Sequence, residues 1–258
     1  MTRDAGSPRS RGVLVTGAAR GIGRAIATAF AGNGDRVALH YASRDVDAES
    51  TRAGLRGDGH TLIRADLSDS GQVAHLVDTA EHDLGGIDVV VNNAAIMLPS
   101  SIDDCSYDDW QQAWQQTFAV NVFAAANVSY CAARHMIAGQ RAGRIVNVSS
   151  RGAFRGEPHH PAYGASKAAL NALGQSLALA LGKHGISVTT VAPGFVETER
   201  VAGRLDGPEG KGIRDQSPLG RVAQPAEIAS AVLYLASPHA EWTTGAILDV
   251  NGASHLRT

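Results

Sequence analysis

The chain is short of the features that mark specialised protein classes. Two cysteines, Cys105 and Cys131, among 258 residues build neither a disulfide framework nor a thiolate metal site. The ten histidines are scattered without ligand spacing, and the one adjacent pair, His159-His160, reads as a solvated loop, so no metal is expected. Neither sign of charge is in excess: a net charge of −2 gives no broad basic surface for nucleic acid. No apolar run reaches membrane-spanning length, and no secretory apolar segment follows the polar, basic opening MTRDAGSPRSR. The expectation is a cytoplasmic protein with no nucleic-acid or membrane partner. Residues 1–11 form a disordered tail and residues 12–258 one domain.

What is present is ample apolar material, 44% of the chain, arranged in short runs between longer amphipathic stretches. Strands are expected at Gly12 to Thr16, Arg36 to Tyr41, Thr61 to Arg64, Ile87 to Asn92, Arg144 to Ser149, Ile186 to Val191 and Ala246 to Val250. Helical stretches fall at Gly21 to Gly32, Gln72 to Leu84, Tyr107 to Ile137, Pro161 to Lys183 and Pro225 to Ala236. Near-continuous apolar strands alternating with helices favour a parallel sheet buried on both faces. Right-handed crossovers make it doubly wound. The fold class is therefore α/β, a single-domain Rossmann-like doubly wound parallel sheet with helices on both faces.

Between the first strand and first helix stands Thr16-Gly17-Ala18-Ala19-Arg20-Gly21-Ile22-Gly23. Glycines let a backbone take positive φ and approach a phosphate closely. The helix that follows presents free N–H groups and a positive dipole end. A nucleotide cofactor is the functional reading; a tight turn without ligand is the bland one. The second strand ends His40-Tyr41-Ala42-Ser43-Arg44, with no acid to grip the ribose hydroxyls of NAD until Asp45. Arg20 and Arg44, with Ser43 between them, suit a 2′-phosphate instead, so NADP(H) is preferred and NAD(H) remains possible. Asp45, Asp47 and Glu49 weigh against the phosphate.

Far downstream, Tyr163 and Lys167 stand four apart in a helical stretch and so share one face. A tyrosine is a poor acid or base at neutrality, and a neighbouring ammonium would lower its pKa into use. Ser150 follows the fifth strand, at the carboxyl edge where such sheets place ligands, and can hydrogen-bond a substrate oxygen.

These motifs, with Asp66, Asn92-Asn93-Ala94, Asn121, and Pro193-Gly194 followed by Thr198, resemble the short-chain dehydrogenase/reductase family over residues ~12–253. The resemblance implies a Rossmann-like fold and hydride exchange between a nicotinamide and a carbonyl or secondary-alcohol carbon. It implies Tyr163 as acid/base, Ser150 (favoured over Ser149) orienting the substrate oxygen, and Lys167 holding the nicotinamide ribose. Asn121 would position a water in a proton relay. Asp66 and Leu67 would flank the adenine, with Tyr41, Asn93 and Ala94 on the cofactor side, and Val196 and Thr198 beside the carboxamide and phosphates. Three readings follow: a 3-oxoacyl-type or small carbonyl reductase, an NAD-dependent sugar or small-alcohol dehydrogenase, or a cofactor-binding sensor without catalysis. The last requires a broken catalytic set, and Asn121, Ser150, Tyr163 and Lys167 are all present.

The chain departs from the family pattern in places. Asn92-Asn93-Ala94-Ala95 stands where the family has Asn-Asn-Ala-Gly, and SYDDWQQAWQQ is about one turn longer than usual. The loop RGAFRGEPHHPA after Ser150 overhangs the pocket, its Arg151 and Arg155 either meeting an anionic substrate group or pairing with Glu157. Residues 197–217 are polar and match a mobile lid. A carrier-protein-linked substrate would need a basic rim, for which Arg134-His135 and Lys183-His184 are the candidates. The resemblance further implies a homo-oligomer, a tetramer or dimer, packed through the alanine-rich helices.

Overall fold

Strands form where Val, Ile and Leu run together: β1 Gly12–Val15, β2 Arg36–Tyr41, β3 Thr61–Arg64, β4 Val89–Asn92, β5 Gly143–Val148, β6 Ile186–Pro193 and β7 Ile247–Val250. The computed structural model describes residues 10–257. All seven strands pair in parallel, in the order β3-β2-β1-β4-β5-β6-β7. Around them run α1 Gly21–Gly32, α2 Asp45–Ala53, α3 Ser70–Asp83, α4 Tyr107–Phe118, α5 Ala124–Ala138, α6 Gly152–Arg155, α7 Pro161–Leu181, α8 Ala202–Asp206, α9 Gly210–Arg214 and α10 Pro225–Leu235.

A strand turns successive side chains to opposite faces, and β1 shows what that does here. Val13 and Val15 enter a core with Ile26 and Phe30 of α1 and Ile228 and Val232 of α10. Leu14 between them enters the other core, with Val73, Leu76 and Val77 of α3 and Val128 of α5. Every residue of β1, β4 and β6 is buried, which is why β1 and β4 read as near-continuous apolar runs rather than alternating ones, while β6 buries Ser187, Thr189 and Thr190 among its apolar residues. Chain order reverses where β1 lies between β2 and β4, opening a crevice at the carboxyl ends of the strands.

Local chemistry sets the helix ends that matter for the crevice. Pro161 stands at the start of α7, where a missing N–H costs nothing, two residues before Tyr163. The expected single helix from Tyr107 to Ile137 is interrupted: Ala119–Phe123 forms a π turn between α4 and α5, with buried Asn121 inside it. The polar segment after the second strand, left without an element by its weak periodicity, is helix α2. The lid expected to be polar and irregular holds α8 and α9, whose Leu205 and Ile213 form a small third core with Val222, Phe195 and Val201.

Residues 1–9 of the expected tail lie outside the described residues. Its last two residues belong to the fold. Ser10 donates to the Gly34 carbonyl at 2.7 Å. Arg11 grips buried Asp35 with both Nε (2.9 Å) and Nη2 (2.7 Å), donates to the Ala236 carbonyl at 2.7 Å, and covers the Phe30 ring. A buried carboxylate needs such a partner. Arg11→Ala should therefore lower the unfolding free energy by about 1–3 kcal/mol, the cost of orphaning a buried charged group. Urea titration checks this, and a loss below about 0.5 kcal/mol would mean that Arg11 behaves as free tail.

Candidate active site

The crevice is a cavity of about 550 Å³ that runs from the end of β2, past the glycine turn, to Tyr163. Gly17 and Gly21 take φ of +66° and +55°, conformations that side chains strain to adopt. At Gly23 a Cβ would come 2.1 Å from the Gly17 carbonyl oxygen and 2.6 Å from Asn93 Nδ2. The turn is thus closed on itself, its floor bare of side chains. Arg20, the residue before α1, makes no side-chain cap, so the first N–H groups of the helix face the cavity ready for an anion.

Three residues brace the turn from behind. Thr16 Oγ1 accepts from the N–H groups of Asn93 and Ala94, both at 3.0 Å. Asn93 Nδ2 donates to the carbonyls of Thr16 (2.9 Å) and Gly17 (3.1 Å). The third brace, His40, was not singled out from sequence. Its Nδ1 accepts from the Gly17 N–H at 3.0 Å, so its proton lies on Nε2, which meets the Ala65 carbonyl at 3.1 Å. One ring ties the turn, β2 and the segment after β3 together. The one available signal was a polar residue inside the otherwise apolar run VALHY.

At the far end, Tyr41, Ser43, Arg44, Asp66 and Leu67 line the cavity, as do Arg20 and Ile22 of the turn. Among the described residues, no carboxylate lies within salt-bridge distance of Arg20, whereas exposed Arg44 pairs with Asp47 at 3.4 Å. Arg64, also unanticipated, reaches Asp45 at 3.9 Å and donates to the Ala42 carbonyl at 3.1 Å. Arg52 pairs with Glu49 at 3.0 Å, so all three of the acids that weigh against a phosphate are partnered by arginines. Exposed pairs of this kind are worth under ~1 kcal/mol and yield readily to a stronger anion.

At the near end, Ser150, Tyr163 and Lys167 meet below Pro193, Gly194 and Thr198. The hydroxyl of Ser150 accepts from the Gly152 N–H at 3.0 Å and faces the same end of the cavity as Tyr163, while neighbouring Ser149 is buried and spends its hydroxyl on the Lys167 carbonyl. Lys167 Nζ donates to the Val148 carbonyl at 2.7 Å and lies 5.7 Å from the centre of the Tyr163 ring. Thr198 closes against the turn, its Cγ2 3.3 Å from where a Gly21 Cβ would stand, and Val196 is anchored by a bridge to Ala223. Ala95 takes an ordinary backbone conformation, so the extra methyl brings no strain.

Asn121 differs from the other expected residues in lying behind the cavity wall, which its neighbour Val120 lines. Its Oδ1 accepts from the Ile96 N–H, and its Nδ2 donates to the Ile96 carbonyl and to Ser166 Oγ, all at 2.9–3.0 Å. Ser166 in turn donates to the Tyr163 carbonyl at 2.8 Å. The side chain is fully used in joining the loop after β4 to α7.

The electrostatics correct the expectation that Lys167 lowers the tyrosine pKa. Burial pushes Tyr163 above its usual range, against the opposing pull of the Ser150 hydroxyl and the Arg200 charge. Lys167 is itself brought down to about 7, by burial first and by Arg200 second. Both groups favour their neutral forms, so the proton rests on Tyr163.

His40 is held neutral more strongly, its pKa lowered to about 4 by burial. Between pH 6.5 and 4 the unfolded chain takes up a proton that the folded chain refuses. Stability is thus fully present above pH 6.5 and falls as the pH drops, by on the order of 3 kcal/mol across the window. His40→Gln should be less stable than wild type at pH 7.5 and should lose less between pH 6.5 and 4. Parallel pH–stability curves for the two proteins would refute this.

Known proteins are similar to this chain over nearly its whole length. Residues 17–255 match the family model described as enoyl-(acyl carrier protein) reductase. The chain is 33% identical to galactitol 2-dehydrogenase of Agrobacterium fabrum, over 94% of its length and 96% of that protein's. It is 36% identical to the L-rhamnose 1-dehydrogenase (NAD(P)(+)) of a Sphingomonas species, covering 95% of this chain and 96% of the relative. Among solved structures, a short chain dehydrogenase from Burkholderia cenocepacia in complex with NADP superposes with a TM-score of 0.84 at 34% identity, covering 95% of this chain and 97% of that one.

Proposed function

The chain belongs to the short-chain dehydrogenase/reductase family and is an NAD(P)-dependent oxidoreductase acting between CH–OH and C=O; on that premise we propose that it reduces a small carbonyl compound, prefers NADP(H), and uses Tyr163 as its proton donor. The observation that carries this reading is the meeting of Ser150, Tyr163 and Lys167 at one end of a cavity whose other end is the bare glycine turn.

The bound nicotinamide would supply the hydride. Tyr163 gives its proton to the substrate oxygen, and the Ser150 hydroxyl orients that oxygen while its charge changes. Lys167, fixed by the Val148 carbonyl, would hold the ribose side of the cofactor. Asn121 is a positioning residue that sets α7 against the loop after β4. The Gly17–Gly23 turn and the first N–H groups of α1 would hold the cofactor phosphates, with Asn93, Ala94 and Thr198 beside them. Tyr41, Asp66 and Leu67 border the adenosine, and Pro193, Gly194 and Val196 the nicotinamide.

The preference for NADP(H) rests on Arg20 and Arg44 beside Ser43, and the NADP complex of the Burkholderia relative agrees with it. NAD(H) use and a sugar or polyol substrate form the second reading, favoured by the galactitol and rhamnose dehydrogenases among the relatives. A carrier-protein-linked substrate has less support, because His135 of the expected basic rim is paired with Asp78 at 2.7 Å. A homo-oligomer belongs to the same reading. Phe123 and Tyr130 stand seven residues apart and exposed at 60% and 66%, and Leu179 on α7 is exposed at 88%, a surface suited to a second copy. Free thiols at Cys105 and Cys131 accord with a cytoplasmic location.

One pair of titrations tests the proposal. NADPH should bind wild type more tightly than NADH, and Arg20→Ala with Arg44→Ala should weaken NADPH by about 10–100-fold, the worth of charge-assisted contacts. Tyr163→Phe should bind NADPH as wild type does yet lose about 10²–10⁴ in kcat/KM. Equal binding of the two cofactors would refute the preference, and near-normal turnover in Tyr163→Phe would refute the proton donor.

A further inference from the structure

Beyond Tyr163 the cavity wall is cationic. Arg151, Arg200 and Arg204 line it with two carboxylates, Glu157 and Glu199, of which Glu199 is paired with Arg24 at 3.7 Å. Their partners are unequal. Arg204 is paired with Glu209 at 2.9 Å. Arg151 is buried, and its Nη2 donates to Gln216 Oε1 at 2.5 Å while its Nη1 has no hydrogen-bond partner among the described residues. Arg155 donates to that same oxygen at 3.2 Å. Two guanidinium groups thus converge on an uncharged amide, which offers only a partial charge in return. Arg200 at the mouth donates to the Ala95 carbonyl at 3.1 Å, and no carboxylate lies within 4.0 Å of it among the described residues. Its charge is nonetheless felt at both Tyr163 and Lys167.

Holding the buried Arg151 guanidinium without a carboxylate partner costs free energy that a neutral substrate would not return, while exposed Arg155, Arg200 and Arg204 stand open to an incoming anion. A guanidinium, with its planar fork of donors, is the group that recognises a carboxylate or phosphate. We propose that the substrate carries an anionic group, a carboxylate or a phosphate, on the side of its reacting carbon away from the nicotinamide, and that Arg200 binds that group. The assignment rests on the carbonyl reduction proposed above and names its substrate class. Arg151 and Arg155 supply the field that draws the anion in, and Phe195, covered by Arg151 at 4.8 Å and Arg204 at 5.5 Å, forms the apolar floor beside it.

The test compares matched probes under saturating NADPH: 4-oxopentanoate with its methyl ester, and dihydroxyacetone phosphate with dihydroxyacetone. In one pair the anion should have a kcat/KM at least about tenfold above its neutral partner, carried mainly in KM. The identity of that pair distinguishes carboxylate from phosphate. In Arg200→Gln, which keeps an amide donor for the Ala95 carbonyl but loses the charge, the anion-to-neutral ratio should fall to near one. A ratio at or below one in both pairs of the wild type, or one unchanged in Arg200→Gln, overturns the assignment.

Melting temperatures of the NADPH-saturated enzyme with pentanoate, pentanamide or inorganic phosphate read binding without turnover. Stabilisation by an anion in wild type but not in Arg200→Gln, with no turnover of any probe, upholds the anion site and removes the proposed carbonyl reduction. Turnover of the neutral probes with no anion preference and no anion stabilisation does the reverse. Absence of both turnover and stabilisation overturns both.

Discussion

The bare backbone of the glycine turn is the constraint on which the rest of the site depends. A phosphate can approach α1 only if no Cβ intervenes, and the turn keeps its shape only if something else holds it. Thr16, Asn93 and His40 do so, each from a different strand end. Those ends converge because β1 lies between β2 and β4, and that adjacency follows from burying both faces of a parallel sheet. The cores beneath, with Val13 and Val15 on one side and Leu14 on the other, therefore act on function through the position of one turn.

The catalytic end works by opposition. Burial holds the proton on Tyr163 and lowers Lys167 to about 7, while Ser150 and Arg200 pull the tyrosine the other way. A tyrosine poised in its neutral form is an acid, which suits donation to a carbonyl oxygen more than abstraction from an alcohol. The same burial requires tight positioning, and the Asn121–Ser166–Tyr163 chain of hydrogen bonds provides it from a π turn that interrupts the long helix. Arg200 joins the two themes. It lines the cavity, and its charge reaches both Tyr163 and Lys167.

Much of this was legible in the residues. Strands could be read from unbroken apolar runs because both sheet faces are covered. The glycine turn and the Tyr163–Lys167 spacing are local patterns, and local patterns survive in sequence. What escaped was set by contacts between distant segments. His40 looks like an ordinary polar residue until Gly17 and Ala65 are brought to its two nitrogens. Gln216 gains meaning only beneath Arg151 and Arg155. Arg11 looked like tail because its partners Asp35 and Ala236 lie 24 and 225 positions away. Helix α2 carries only two buried residues, Ala48 and Thr51, too few to give a period. The lysine effect on Tyr163 was misjudged for a related reason: spacing brings the two together, but burial decides their charge.

The most direct test of the account is to follow the label from NADPH deuterated at both C4 positions of the nicotinamide during reduction of a turned-over ketone. Mass spectrometry of the alcohol should find one deuterium on the former carbonyl carbon and none on its oxygen after exchange in ordinary water. Product without carbon-bound deuterium would mean that no hydride passes from the cofactor to that carbon, and the central claim would fall.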